Sequence, residues 1–176
     1  MTATRSKHDR RSPDITQTAA AKGTGATGPA SRDDSGVGPG SRLRLRRGLE
    51  ARLGVLVSSG YPEETCGLLL GHRKAQTVEV LELVQVRNLN RARAHDRYEL
   101  DPDGYMAADL QAREEGRGIV GVWHSHPDNP ARPSATDRER AWEGWSYLIA
   151  SVTRDGVAEL RSWRLHEGDF IEEVVK

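Results

Sequence analysis

Two histidines stand one residue apart in Val122-Trp123-His124-Ser125-His126-Pro127. On a β-strand, side chains at i and i+2 leave the same face. His124 and His126 are therefore expected to aim at one point from a rigid element. Pro127 cannot donate to a sheet ladder, so it is expected to end the strand there and open the site to solvent. Downstream, Ser134-Ala135-Thr136-Asp137 heads an expected helix. Residues i and i+3 share a helical face, so Ser134 and Asp137 can both turn toward the strand end. Two imidazoles and one carboxylate make a three-ligand zinc site, and catalytic zinc sites keep the fourth position for water. Such an ion lowers the pKa of water from ~15.7 toward ~7.

That chemistry also needs a proton acceptor. Glu64, in Tyr61-Pro62-Glu63-Glu64-Thr65-Cys66-Gly67, lies just ahead of an expected buried strand that can hold it beside the metal. A carboxylate so placed takes a proton from water and returns it to the leaving amine. The Ser134 hydroxyl is a candidate donor to the oxyanion of a tetrahedral intermediate. Ser134 and Asp137 also match a helix capping box. Both roles are compatible if Asp137 gives one oxygen to the metal.

The order Glu64, then His124-Ser125-His126-Pro127, then six residues from Asp128 to Pro133, then Ser134-Ala135-Thr136-Asp137 resembles the JAMM (MPN+) metalloprotease signature. The stretch from Tyr61 through Glu64 and Cys66-Gly67-Leu68-Leu69-Leu70-Gly71 resembles the start of the short prokaryotic members. The resemblance spans roughly residues 42–176. It implies a cytidine-deaminase-like α/β fold and one catalytic Zn2+ per chain. It also implies His124, His126 and Asp137 as metal ligands, Glu64 as the catalytic carboxylate and Ser134 as the oxyanion serine. The implied activity is a metallopeptidase or isopeptidase. Its implied substrate is a ubiquitin-like or sulfur-carrier protein with an extended C-terminal tail, which can add to a sheet edge. Removal of a cysteine from such a carrier is a related variant. Two rivals stand beside this: a non-catalytic MPN scaffold that binds partners, and a RadC-like role near DNA. Scaffolds usually lose ligands, and here all are present.

Composition narrows the field. The chain has 176 residues, which suggests one domain. Lys plus Arg number 26 and Asp plus Glu 26, so no net field draws it to nucleic acid or an anionic membrane. Its one cysteine, Cys66, excludes an internal disulfide and a Cys-rich zinc site, and with it a zinc nucleobase deaminase. Cys66 is expected to be a small buried apolar residue. No apolar run reaches the ~18 residues of a membrane span. The basic start (Arg5, Lys7, Arg10, Arg11) has no apolar stretch behind it, so no secretory signal is expected and the cytoplasm is the default. No pattern specifies an oligomeric state.

The positioning elements follow. Residues 1–41 are rich in Thr, Ser, Ala, Gly and Pro and are expected to form a disordered tail. A folded domain is expected over 42–176. Leu43 and Leu45 alternate with arginines, which predicts a short edge strand. Leu49, Leu53, Leu56 and Val57 predict a helix over 46–59. Thr65–Leu70, Val78–Val86, Tyr98–Leu100, Ile119–His124, Tyr147–Thr153, Val157–Leu165 and Phe170–Val175 read as strands. Asn88–Asp96 reads as a polar, Arg-rich loop, which is either a lid or a plain connection. Pro102–Glu115 reads as a helix capped by Asp101, and Ser134–Glu143 as another. The fold class is α/β: a single mixed sheet with packed helices.

Overall fold

A computed structural model of the chain describes residues 40–176. The expected tail, residues 1–41, lies outside the described residues except for its last two. The elements run β1 (Arg42–Leu45), α1 (Leu49–Gly60), β2 (Cys66–Lys74), β3 (Thr77–Val86), α2 (Pro102–Glu114), β4 (Gly118–Pro127), α3 (Ala135–Arg140), β5 (Ser146–Thr153), β6 (Gly156–His166) and β7 (Asp169–Val175). The strands form one mixed sheet in the order β1-β3-β2-β4-β5-β6-β7.

Period-two alternation divides the apolar residues between the two faces of the sheet. Leu69 and Trp123 join Leu49, Leu53 and Val57 of α1 in one core. Leu68, Leu70 and Val122 join Ala108 and Ala112 of α2 in the other. His124 and His126 share the parity of Val122, so they leave the sheet on the α2 side. Asp101 caps α2, its side chain accepting from the Asp103 N–H, and Pro102 opens the helix.

β4 lies in the middle of the sheet. It runs antiparallel to β2, with His124 opposite Cys66, and parallel to β5, with His126 opposite Ser151. Parallel neighbours need a crossover connection. Here α3 is that crossover, and its N-terminus returns over the carboxyl end of β4. Ligand sites in α/β sheets favour this position.

Three expectations need correction. β1 is not an edge strand, because it pairs in parallel with both β3 and β7 and closes the sheet on itself. Leu43 is fully buried, and the last backbone groups of β7 find their partners on β1. Val174 N–H donates to Ser41 O at 3.0 Å, Lys176 N–H to Leu43 O at 2.9 Å, and Leu45 N–H to Lys176 O at 2.7 Å. Tyr98–Leu100 is not a strand, since only a single bridge joins Leu100 to Asn88. α3 stops at Arg140 rather than Glu143. The chain turns extended at Ala141, and the Trp142 N–H donates instead to the Tyr147 hydroxyl at 2.7 Å.

Candidate metal centre

His124 is fully buried and His126 is 7% exposed. Asp137 and Glu64 are buried as well. The two Nε2 atoms face each other at 3.1 Å. Asp137 Oδ1 lies 3.4 Å from His124 Nε2, and Oδ2 lies 3.6 Å from His126 Nε2. Glu64 Oε1 stands 4.0 Å from His126 Nε2. Among the described residues, His124, His126 and Asp137 form a group whose ligand atoms all lie within 4.8 Å of one another.

The geometry fits a small cation. Four bonds of about 2.0–2.1 Å in a tetrahedron set ligand atoms roughly 3.3 Å apart. The His124–His126 separation of 3.1 Å and the His124–Asp137 Oδ1 separation of 3.4 Å bracket that value, while His126 Nε2 lies 3.6 Å from the other carboxylate oxygen, Oδ2. The His126 tautomer agrees: Nδ1 donates to the Pro130 carbonyl at 2.9 Å, which leaves a lone pair on Nε2. His124 Nδ1 is buried and has no hydrogen-bond partner, while its Nε2 faces His126 Nε2 and the Asp137 carboxylate, the directions a shared cation would occupy. The Pro130 carbonyl is the kind of outer partner that orients a ligating imidazole. The donor set is all nitrogen and oxygen, which suits zinc.

α3 holds Asp137 through a complete capping box. Ser134 N–H and Oγ both donate to Asp137 Oδ2 at 2.7 Å, and Asp137 N–H donates to Ser134 Oγ at 3.1 Å. The cap thus occupies Oδ2 and leaves Oδ1 toward His124. Ser134 is exposed, and its hydroxyl is engaged with Asp137 rather than with either imidazole.

Titration follows from burial and these contacts. Burial pushes Glu64 up to about 8, opposed by His126 and aided by Asp137 and Asp96. Burial alone would raise Asp137, but His124, His126 and Ser134 outweigh it and hold the carboxyl far below the usual range. Burial lowers His124, with partial relief from Asp137. Burial also acts to lower His126, yet Asp137, the Pro130 carbonyl and Glu64 raise it on balance. Cys66 sits beside His124 on β2, and burial pushes its thiol up to about 12, so it stays a protonated packing group. His95 is exposed and bonds to Asp96, outside the cluster.

The sequence reasoning missed three contributors. Tyr98 stacks on the His124 ring, with centroids 4.6 Å apart, and walls the site. Asn88 binds the Glu64 carbonyl from the Arg-rich loop. Pro130 acts only through its carbonyl, which any residue carries, so no side-chain signal marks it. For Asn88 there was a signal: an amide two residues past the end of a strand, able to bond backbone groups nearby.

The chain is similar to several known proteins. Over 103 residues it is 41% identical to the desampylase of Haloferax volcanii, covering 58% of this chain and 70% of that protein. Over 117 residues it is 32% identical to the CysO-cysteine peptidase of Mycobacterium tuberculosis, covering 65% of this chain and 77% of the relative. A solution structure of a protein from Desulfitobacterium hafniense matches with a TM-score of 0.68 at 27% identity, over 76% of this chain and 91% of the other. Residues 47–166 match the model of prokaryotic homologs of the JAB domain, and the chain belongs to that family.

Proposed function

We propose that this protein is a zinc-dependent metallopeptidase or isopeptidase that hydrolyses an amide bond at the C-terminal tail of a ubiquitin-like or sulfur-carrier protein. The observation that carries the reading is the convergence of His124, His126 and Asp137 with Glu64 4.0 Å beyond. The relatives add support, for one is a desampylase and another a CysO-cysteine peptidase. Hydrolase activity follows the family.

His124 Nε2, His126 Nε2 and Asp137 Oδ1 would hold one ion. Zinc bound there would supply Lewis-acid polarisation and lower the pKa of water toward about 7. Glu64 accepts the proton that attacking water gives up and delivers it to the departing amine nitrogen. Burial raises the proton affinity of this carboxyl in the metal-free chain, and a cation beside it would draw the value back down, toward the range in which a carboxylate takes and returns a proton. Asp137 supplies one negative charge toward the cation, and its low proton affinity keeps it ionised. The Ser134 hydroxyl, once it turns from Asp137, donates to the oxyanion that forms on the scissile carbonyl. Among the described residues no helix is long and apolar enough to cross a membrane, and cytoplasmic action is part of the same proposal.

The test is a fusion of a ubiquitin-like carrier to a short C-terminal extension. The full chain should cleave it at the carrier's end. A chelator should stop cleavage, and added zinc should restore it. If a zinc-loaded chain cleaves neither linear nor isopeptide-linked fusions, the scaffold reading replaces this one.

A further inference from the structure

Glu64 lies ahead of β2, outside the sheet ladder. Its neighbour Thr65 is tied to β4 on both sides: its N–H donates to Ser125 Oγ and its carbonyl accepts from Ser125 N–H, each at 2.9 Å. Glu64 has a different support. Its N–H donates to the Ala94 carbonyl at 2.5 Å, and its carbonyl accepts from Asn88 Nδ2 at 3.1 Å. Both partners belong to the loop between β3 and α2. The peptide groups that aim the Glu64 carboxyl are thus held by a loop that contributes no metal ligand.

Asn88 holds that loop together. Its Nδ2 also donates to the Arg97 carbonyl at 3.1 Å. Its Oδ1 accepts from Asn90 N–H at 2.9 Å and Glu99 N–H at 3.0 Å. One amide therefore uses two donors and two acceptor sites, its full capacity. Around it, Leu89 N–H bonds Glu99 O at 2.8 Å, and Asp101 N–H bonds Arg87 O at 3.1 Å. The loop's base is closed by backbone and its middle by a single side chain.

We propose that Asn88 is a positioning residue for Glu64: it staples the 88–100 loop and, through the loop, clamps the Glu64 peptide on both sides. The inference rests on the reading of Glu64 as the proton-transfer group. Asn88 touches no reacting atom. It acts by fixing where the Glu64 carboxyl stands relative to His126, and displacement of a catalytic group by about 1 Å is enough to reduce rate by about 100-fold. The loop is then neither the lid nor the plain connection that the sequence left open, but a brace.

The experiment uses the full chain with Asn88→Ala, and Asn88→Ser as a second variant should the first fold poorly. Two readouts are independent of turnover. Bound zinc should stay at the wild-type level. In metal-free protein, hydrogen exchange of the backbone amide of Glu64 should speed by at least 10-fold, while the Trp123 and Leu148 amides stay protected. In turnover, kcat should fall about 10- to 100-fold with KM within about 3-fold. Placed on Glu64→Gln, the Asn88 change should add little further loss, because both act through one carboxyl. A raised KM at wild-type kcat would make the loop a substrate contact and overturn the proposal. So would full additivity with Glu64→Gln, or unchanged exchange at Glu64. If Glu64→Gln alone keeps wild-type kcat, the catalytic reading of Glu64 fails, whatever Asn88 does.

Discussion

Each residue of the cluster answers to a different force, and substitution separates them. Glu64→Gln keeps size and burial but removes the proposed proton acceptor. The variant should bind zinc as wild type does and lose 100-fold or more in kcat, within the usual contribution of acid–base catalysis. Metal content and turnover measured on one preparation check both halves. Glu64 also makes a stability prediction for metal-free protein. Burial raises its folded pKa from the ordinary carboxylate range to about 8. A group raised in the folded state stabilises fully below its unfolded pKa, and that stability is lost as pH rises through the folded value. Metal-free wild type should therefore lose stability between about pH 4.5 and about pH 8, by about 5 kcal/mol at most. Glu64→Gln should flatten that slope in urea melts across the range. An equal slope in both proteins would place its origin elsewhere.

The elements show which features were legible in the sequence. The strand carrying His124 could be read because an apolar run and a nearby proline are local signals, but it runs on through His126 to Pro127 rather than stopping at His124. α2 could be read because Asp101 and Pro102 mark its start. The helix start at Ser134 was visible for the same reason: capping chemistry lies within a few residues. The end of α3 was not, because it depends on the Tyr147 hydroxyl, which arrives from the next strand. β1 was misread as an edge because closure depends on β7, at the far end of the chain. Contacts distant in sequence leave no periodic trace. Two variants belong at this scale. Ser134→Ala removes the cap of α3, for about 1 kcal/mol of stability. If the hydroxyl also serves the oxyanion, kcat should fall by a further 100-fold or so at saturating zinc. A thermal melt and a rate on the same sample separate the two effects. Gly67 is the second. A Cβ there would stand 2.1 Å from the Val84 carbonyl oxygen and 2.5 Å from the Trp123 ring. Backbone cannot yield as a flexible side chain can. Gly67→Ala should destabilise by about 3 kcal/mol or more in denaturant melts, and push on the strand that carries His124.

Across the whole molecule, the sheet closes around a buried charge pair. Arg164 is fully buried and forms an ion pair with Glu173. Glu173 also accepts from Ser41 Oγ at 3.1 Å and Ser162 Oγ at 2.8 Å. These contacts link β6 and β7 to the residue that precedes β1, so the pair ties the two ends of the described chain together. Removing one partner of a buried pair strands the other charge, at about 3–5 kcal/mol. Glu173→Ala should thus unfold at markedly lower denaturant, with zinc binding in the folded fraction preserved. The site lies on the α2 face, whereas this pair marks the seam of the sheet. Stability and chemistry are in this way assigned to separate regions of one small fold.

The central claim is that His124, His126 and Asp137 hold one catalytic zinc. The direct measurement is elemental analysis of the purified full chain beside His126→Ala, after equal exposure to a slight excess of zinc. Wild type should hold about one zinc per chain and the variant a small fraction of that. Wild type without bound metal, or a variant that keeps it all, would rule out a zinc centre at these three residues.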